Sequence, residues 1–178
     1  MIDGHGNPNT SELYQDAVKS LYSLSYGVRA ICKSAGNVYI VMPLEGLWTI
    51  DGQAEAPKDF NITEADKDNF IWTLMILQPD FVTADMVDEA RKTATKKKDS
   101  PLHLDDVRFE IYHEGDSAQI LHIGSYADEG PTVAKLHHHI EENGWSLAKK
   151  HHEIYLSDPR KVDPAKLKTV IRQPFSRS

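Results

Sequence analysis

Two tyrosines in this sequence each follow a glutamate by two positions, within segments that alternate in polarity. Glu153 precedes Tyr155, and Glu110 precedes Tyr112. Side chains two apart in a β-strand share a face, so each pattern would hold a carboxylate beside a phenol. Such a carboxylate can pair with a cation or act as a general base. It is also ordinary on the solvent side of an antiparallel strand, so the pattern alone leaves both alternatives open.

The strand around Glu153 is predicted to carry Ile154 and Leu156 on its core face, with Glu153 on the opposite face. A second segment, Phe70 to Leu77, is apolar at almost every position, so both of its faces must be covered. If helices cover one face of the sheet, a pocket or groove would shelter Trp72 on the other. Glu153 could lie in that pocket.

Further aromatic residues accompany these carboxylates, and such a set suits a flat apolar ligand. The candidates for a binding site are Trp48, Trp72, Glu110, Tyr112, Tyr126, Trp145, Glu153 and Tyr155. Tyr14, Tyr22 and Tyr26 lie on a predicted helix, where they would either border the core with their hydroxyls in water or line a site. Their spacing leaves the choice open.

Other chemistries lack the residues they need. No glycine pattern resembles a phosphate or dinucleotide loop, and no serine lies in a nucleophile elbow. The cluster His137 to His139, with Glu141 and Glu142, lacks the H-E-x-x-H spacing, and His138 with Glu142 would supply only two ligands. We therefore expect no metal and no cofactor. Cys32, the single cysteine, is expected to be a small core residue and allows no internal disulfide.

Composition predicts one domain over residues 1–178. The chain has 178 residues, of which 40% are apolar, and a net charge of −7. The negative charge argues against direct nucleic-acid binding. No apolar run reaches the roughly 20 residues of a membrane span, and no signal peptide pattern is visible, so we expect a cytoplasmic protein without a membrane partner. The sequence leaves monomer and homodimer open.

The predicted elements form an α+β fold in which a strand-helix-strand-strand unit occurs twice. One helix is expected to begin at Asn9 or Thr10 and end at Gly36. A second would be capped by Thr83, and a third would run from Pro131 to Gly144. The predicted strands span residues 38–41, 46–50, 70–77, 107–113, 118–123, 152–156 and 168–172, and residues 51–68 are predicted to be a surface excursion with one turn after Thr63.

Four long motifs resemble the GyrI-like small-molecule-binding proteins. They are WTLMILQPDFVT at 72–83, LHIGSY at 121–126, HHEIYLSDPR at 151–160 and LKTVIRQP at 167–174. The resemblance covers nearly the whole chain, with the motifs in the same order. It implies a duplicated strand-helix-strand-strand fold forming an antiparallel sheet, helices on one face, and a ligand groove between the halves.

The resemblance implies two rival activities for Glu153. Relatives fused to DNA-binding domains sense drug-like cations through a buried glutamate among aromatics, whereas stand-alone members include hydrolases that open cyclopropane-containing, DNA-alkylating compounds. In a hydrolase Glu153 would activate water, while Tyr126, Tyr155 or Trp72 orients and stacks on the substrate. His122, in the second motif, joins the expected ligand-binding residues. A carboxyl in an apolar pocket has a raised pKa, which suits a base near neutral pH.

The chain departs from the family at three places. Its first strand is expected to be short or replaced, and Ser125 and Thr49 stand where members often carry Pro and Trp. The last two bear on the shape of the pocket. We expect a hydrolase that detoxifies an electrophilic compound, with a drug-binding or sequestering protein as the alternative. An effector-binding component of transcription regulation is disfavoured, because no helix-turn-helix precedes the domain and the chain is acidic.

Overall fold

The computed structural model describes residues 1–51 and 66–177. In chain order the elements are β1 (Ile2–His5), α1 (Glu12–Ser34), β2 (Leu44–Ile50), β3 (Phe70–Ile76), α2 (Ala84–Thr95), β4 (Ser117–Ile123), α3 (Gly130–Glu142), β5 (Trp145–Leu147), β6 (His151–Tyr155) and β7 (Lys168–Arg177). Short 3₁₀ turns at Asp66–Asn69, Tyr126–Asp128 and Pro164–Lys166 connect them. The surface excursion predicted at residues 51–68 falls largely outside the described residues.

The strands form one antiparallel sheet in the order β1-β3-β2-β6-β7-β4, with β5 paired to β7. Its two halves repeat one arrangement, because β1-α1-β2-β3 and β4-α3-β6-β7 place their strands in the same order outward from the centre. The halves join where β2 pairs with β6, with Gly46 opposite Glu153. The α+β class and the duplicated strand-helix-strand-strand unit are therefore confirmed.

Helices cover one face of this sheet. In the first half α1 packs over β1 and β3, α2 packs against α1, and the buried cluster includes Leu21, Leu24, Val28, Trp72, Leu74, Ile76, Val87 and Ala90. In the second half α3 packs over β4 and β7 through Val133, Leu136 and Ile171. No helix in the described ranges combines the length and apolar character that crossing a membrane requires.

Local sequence explains where the helices begin. Ser11, rather than Asn9 or Thr10, caps α1 by accepting a hydrogen bond from the Tyr14 amide at 3.2 Å. Thr83 caps α2 as predicted, and Pro131 lies in the first turn of α3. These caps fix the start of each helix over the sheet.

Two predicted strands are wrong. Residues 38–41 are irregular, with Val38 and Ile40 exposed, and Arg29 Nε donates to the carbonyl of Tyr39. Residues 107–113 are also irregular, so the predicted hairpin with β4 does not form. Residues 38–41 are apolar and residues 107–113 alternate in polarity, but cationic side chains also bind carbonyl groups in and beside the second segment. Arg91 binds the carbonyl groups of Leu104 and Val107, and Lys149 binds those of His113 and Glu114.

The predicted orientation of β6 is also wrong. Glu153 pairs laterally with Gly46 and with the buried Ile171, which places its side chain on the helix-covered face. Ile154 lies on the opposite face, and Leu156, beyond the end of the strand, is half exposed. Trp72 likewise faces the helices, so α1 shelters it instead of a pocket. The core and Glu153 share one face of the sheet.

Candidate functional site

A cavity of about 1190 Å³ opens on the helix-covered face, where the two halves of the sheet meet. Its floor is the β2–β6 pair, one wall is the N-terminal half of α1, and another is the turn before α3. Both polar and aromatic side chains line it, among them Tyr14, Tyr22, Tyr26, Trp48, Lys67, Phe70, Tyr126, Glu129, His151, Glu153, Tyr155, Asp158 and Arg160. This volume is somewhat above the roughly 300–1,000 Å³ of cavities that hold drug-sized ligands, so such a ligand would fit.

Glu153 lies on the floor, with only 7% of its surface exposed. Its Oε1 atom is 3.3 Å from Nε2 of the fully buried His151. The Tyr155 hydroxyl also forms a hydrogen bond to Glu153. Because Tyr155 and His151 lie two residues to either side on the same strand, both flank the carboxylate on one face. These two neighbours can hold the negative charge of Glu153.

A hydrogen-bonded chain leads to Glu153 from β2. Trp48 Nε1 donates to the Tyr155 hydroxyl at 2.9 Å, and that hydroxyl donates to Glu153. Gly46 leaves the space for this contact, since a Cβ atom there would lie 2.6 Å from Trp48 Nε1 and 3.1 Å from the Tyr155 hydroxyl. These hydrogen bonds fix the Tyr155 rotamer and thereby the position of the Glu153 carboxylate.

Glu129 is the second buried carboxyl of the cavity, and no pattern in the sequence predicted it. It occupies the N-cap of α3 without making a side-chain capping bond, and only 8% of it is exposed. Within the described ranges nothing donates a hydrogen bond to its Oε2 atom. Burial, followed by the charge and hydrogen bond of Glu153, raises the pKa of Glu129 to about 10. The two carboxyls therefore share one proton at neutral pH, with Glu129 neutral.

Three phenols surround this carboxyl pair. Burial, and then the charge of Glu153, raises the pKa of Tyr126 to about 12 and raises those of Tyr14 and Tyr155 further. All three are therefore neutral near pH 7 and can donate hydrogen bonds. Tyr126 is 38% exposed, and its ring meets that of Tyr155 edge to face at 5.7 Å between centroids. It therefore lines the cavity beside Tyr155 and also reaches solvent.

Aromatic rings form the apolar part of the lining. The Trp48 ring lies 6.0 Å from Tyr14 and 5.5 Å from Phe70, centroid to centroid. Tyr22 and Tyr26 stack at 6.2 Å further along α1. The sequence left open whether the helix tyrosines border the core or line a site, and the structure places them in the cavity wall. Aromatic walls around one negative charge suit flat apolar molecules and organic cations.

Of the residues predicted for the site, Trp48, Tyr126, Glu153 and Tyr155 come together in this cavity. Trp72 and Trp145, also predicted for the site, are not among the described residues that line the cavity. Trp72 is fully buried beneath it, with its ring against Gly4 and edge to face with Tyr14 at 5.3 Å. Trp145 stacks on Phe175 at 4.3 Å in the β5–β7 pair. Trp72 supports the cavity wall through Tyr14, whereas Trp145 belongs to a separate contact.

The remaining predicted residues lie elsewhere among those described. Glu110 and Tyr112 lie in the irregular segment after α2, where Glu110 binds Arg108 at 3.3 Å. Because that segment is not a strand, it does not mirror β6. His122 is buried between β4 and α3, with Nδ1 3.0 Å from the Thr132 hydroxyl. It anchors the turn that carries the cavity residues at the start of α3.

The histidine cluster on α3 does not gather ligands. His138 Nε2 lies 3.0 Å from Glu142 Oε1 on the exposed side of the helix, whereas His137 is buried. Among the described residues no group of three or more His, Cys, Asp or Glu side chains could hold a metal ion.

A buried charge network lies on the opposite face of β6. His152 is 1% exposed, and its Nδ1 and Nε2 atoms lie 2.6 Å from Glu114 and 2.9 Å from Glu45. Arg172 binds the second oxygen of Glu114 at 2.8 Å. Burial alone would lower the pKa of His152, but the hydrogen bonds to Glu114 and Glu45 outweigh it and raise the pKa. This network fixes β6, the strand that carries Glu153 on its other face.

Comparison with known proteins gives a matching family and similar solved structures. Residues 90–175 match the GyrI-like small molecule binding domain family. The fold is similar to an uncharacterized conserved protein from Listeria innocua, with 36% identity and a TM-score of 0.86 over 98% of this chain and 85% of that one. It is also similar to a hydrolase from Listeria innocua, with 35% identity and a TM-score of 0.81 over the same shares. No curated protein matches the sequence.

Proposed function

Because this chain belongs to the GyrI-like small-molecule-binding family, we propose that its cavity binds hydrophobic aromatic molecules and that Glu153 catalyses the addition of water to an electrophilic one. The observation that carries the proposal is a buried glutamate held by Tyr155 and His151 inside an aromatic-lined cavity of about 1190 Å³. A structural relative from Listeria innocua is described as a hydrolase, which supports a catalytic reading.

The proposed substrate carries a cyclopropane conjugated to a carbonyl group, since an unconjugated ring does not react with water. Glu153 accepts a proton from water as the water oxygen bonds to a ring carbon. The strained carbon–carbon bond breaks, and its electron pair moves to the carbonyl oxygen, which takes up a proton. The proton held by Glu153 then returns to solvent, so one water is added overall. Removing such an alkylating agent would be a detoxification.

Aromatic side chains would hold the substrate for this step. The Trp48 ring and the α1 tyrosines provide flat apolar contacts. The hydroxyl of Tyr126, neutral because its pKa is about 12, would orient the attacking water or the carbonyl oxygen. Positioning of this kind supplies a large share of rate enhancement in enzymes generally.

The second candidate is a protein that binds cationic drugs without turnover. One buried negative charge among aromatic rings favours it, because a desolvated cation gains from both the carboxylate and the ring faces. The two candidates differ in what Glu153 does. Glu153→Gln should abolish turnover and spare binding in a hydrolase, but should weaken cations selectively in a sequestering protein.

The test therefore measures binding and turnover together. Wild type and Glu153→Gln would be titrated with a neutral and a cationic aromatic ligand by tryptophan fluorescence, which reports on Trp48 in the cavity wall. The same proteins would be incubated with a carbonyl-conjugated cyclopropane compound and the products followed by mass spectrometry. Turnover by wild type alone supports the hydrolase. Absence of both binding and turnover in wild type refutes the proposal.

A further inference from the structure

We propose that Glu129 makes the cavity a proton-linked cation site, in which a cationic aromatic ligand competes with the single proton that Glu129 and Glu153 share. Glu129 is outside the expected catalytic set, and the inference adds a determinant of ligand charge. It rests on the proposed binding function, but holds whether or not the bound ligand is hydrolysed.

The geometry of the pair carries this inference. Both carboxyls are more than nine-tenths buried, both line the cavity, and a hydrogen bond joins them. A hydrogen bond between two carboxyls needs one proton, because a carboxylate has no donor. Glu153 has Tyr155 and His151 beside it to hold a charge, whereas no described residue donates to Glu129 Oε2. The proton therefore resides on Glu129.

The surroundings of Glu129 agree with this assignment. Charged and titratable groups face it from three elements: Glu153, His151 and Tyr155 on β6, Lys67 before β3, and Tyr126 in the turn before α3. Lys67 favours an ionised Glu129, as does the N-terminal end of the α3 dipole, but burial and the charge of Glu153 outweigh them. A further positive charge that enters the cavity would, like Lys67, lower the pKa of Glu129.

The consequence follows from linkage. A cation beside the pair stabilises the doubly ionised form, so its binding releases the proton of Glu129. A neutral ligand offers no such stabilisation and leaves the proton in place. Cation affinity should therefore rise with pH below the pKa of Glu129, by up to about tenfold per pH unit, while neutral affinity stays constant. Glu129 would thus adjust the charge of the cavity from one to two negative charges to match its ligand.

The experiment compares a biphenyl trimethylammonium cation, whose charge does not titrate, with its neutral isostere tert-butylbiphenyl. Affinities for wild type, Glu129→Gln and the control Glu142→Gln would be measured by calorimetry between pH 7 and pH 9. Glu142 lies on the same helix with its side chain 61% exposed, so Glu142→Gln makes the same chemical change outside the cavity. Glutamine at position 129 can donate to Glu153 but cannot release a proton.

We expect the cation to bind wild type and the control more tightly as pH rises, and Glu129→Gln with no pH dependence. Calorimetry in two buffers of different ionisation enthalpy should show that wild type releases a proton when it binds the cation but not when it binds the neutral isostere. This measurement requires no variant. Binding of both ligands with a pH-independent cation affinity and no proton release overturns the inference and leaves the proposed function intact. Binding of neither ligand overturns the proposed function, and this inference falls with it.

Discussion

Replacing Glu129 by glutamine should change how the stability of the protein depends on pH. The pKa of Glu129 is raised from an ordinary value of about 4.5 to about 10 in the folded chain. Between these values the folded protein holds a proton that the unfolded chain has lost. The free energy of unfolding must therefore fall as pH rises, and the stabilisation that this proton gives is fully present only below the unfolded pKa.

The size of the effect follows from one proton. Each pH unit within this window lowers the free energy of unfolding of wild type by about 1.4 kcal/mol. Between pH 6 and pH 8 wild type should therefore lose about 3 kcal/mol of stability relative to Glu129→Gln. The Glu129→Gln variant keeps the hydrogen bond to Glu153 but binds no proton at position 129. Contributions from other groups, including His152, are common to both proteins and cancel in the difference.

Urea unfolding followed by tryptophan fluorescence at pH 6, 7 and 8 provides the measurement. Glu142→Gln is the matched control, because it removes an exposed carboxylate from the same helix. The free energy of unfolding of Glu142→Gln should change with pH as that of wild type does. If Glu129→Gln also runs parallel to wild type over this range, Glu129 does not hold the extra proton and the reasoning about the carboxyl pair is refuted.

Two further substitutions test the support of the site. Gly46→Ala should displace Trp48 from Tyr155, because the added Cβ would lie 2.6 Å from Trp48 Nε1, and ligand titration should show about two- to tenfold weaker binding, as expected for one hydrogen bond; unchanged affinity would contradict a role for this contact. His152→Gln should destabilise the protein by about 3 kcal/mol at pH 6, since it removes the buried cation that Glu45 and Glu114 share and leaves Glu114 with Arg172 alone. Urea unfolding measures this, and a loss below about 1 kcal/mol would mean that His152 is not charged.

Sequence patterns predicted the elements whose determinants are local. Thr83 begins α2 and Pro131 lies in the first turn of α3, because capping depends on neighbouring residues. Continuous apolar character correctly indicated that β3 is buried on both faces. The repeated unit was visible because it depends only on the order of elements.

Patterns failed where distant groups decide. Alternation at residues 107–113 predicted a strand, but Arg91 and Lys149, from other parts of the chain, bind the carbonyl groups there and in the segment's flanks. Alternation also states which residues share a face and not which face meets a helix, so the orientation of β6 was inverted. Both errors concern contacts that form only in the folded chain.

The carboxyl pair shows the same limit at the site. Glu153 could be found because it lies in a strand with a phenol two residues away. Glu129 precedes Gly-Pro at the start of a helix, where an acidic residue ordinarily interacts with the helix dipole. Its missing capping bond and its burial are properties of the tertiary structure. A glutamate at this position carried no separate signal in the sequence.

The most direct test of the proposed function is the mass of the product that wild type forms from a carbonyl-conjugated cyclopropane compound in ¹⁸O-labelled water. The account predicts catalytic formation of a ring-opened product that carries one labelled oxygen, at a rate that Glu153→Gln reduces to the uncatalysed level while still binding the compound. Recovery of unchanged compound from wild type, or equal rates for wild type and Glu153→Gln, would contradict it.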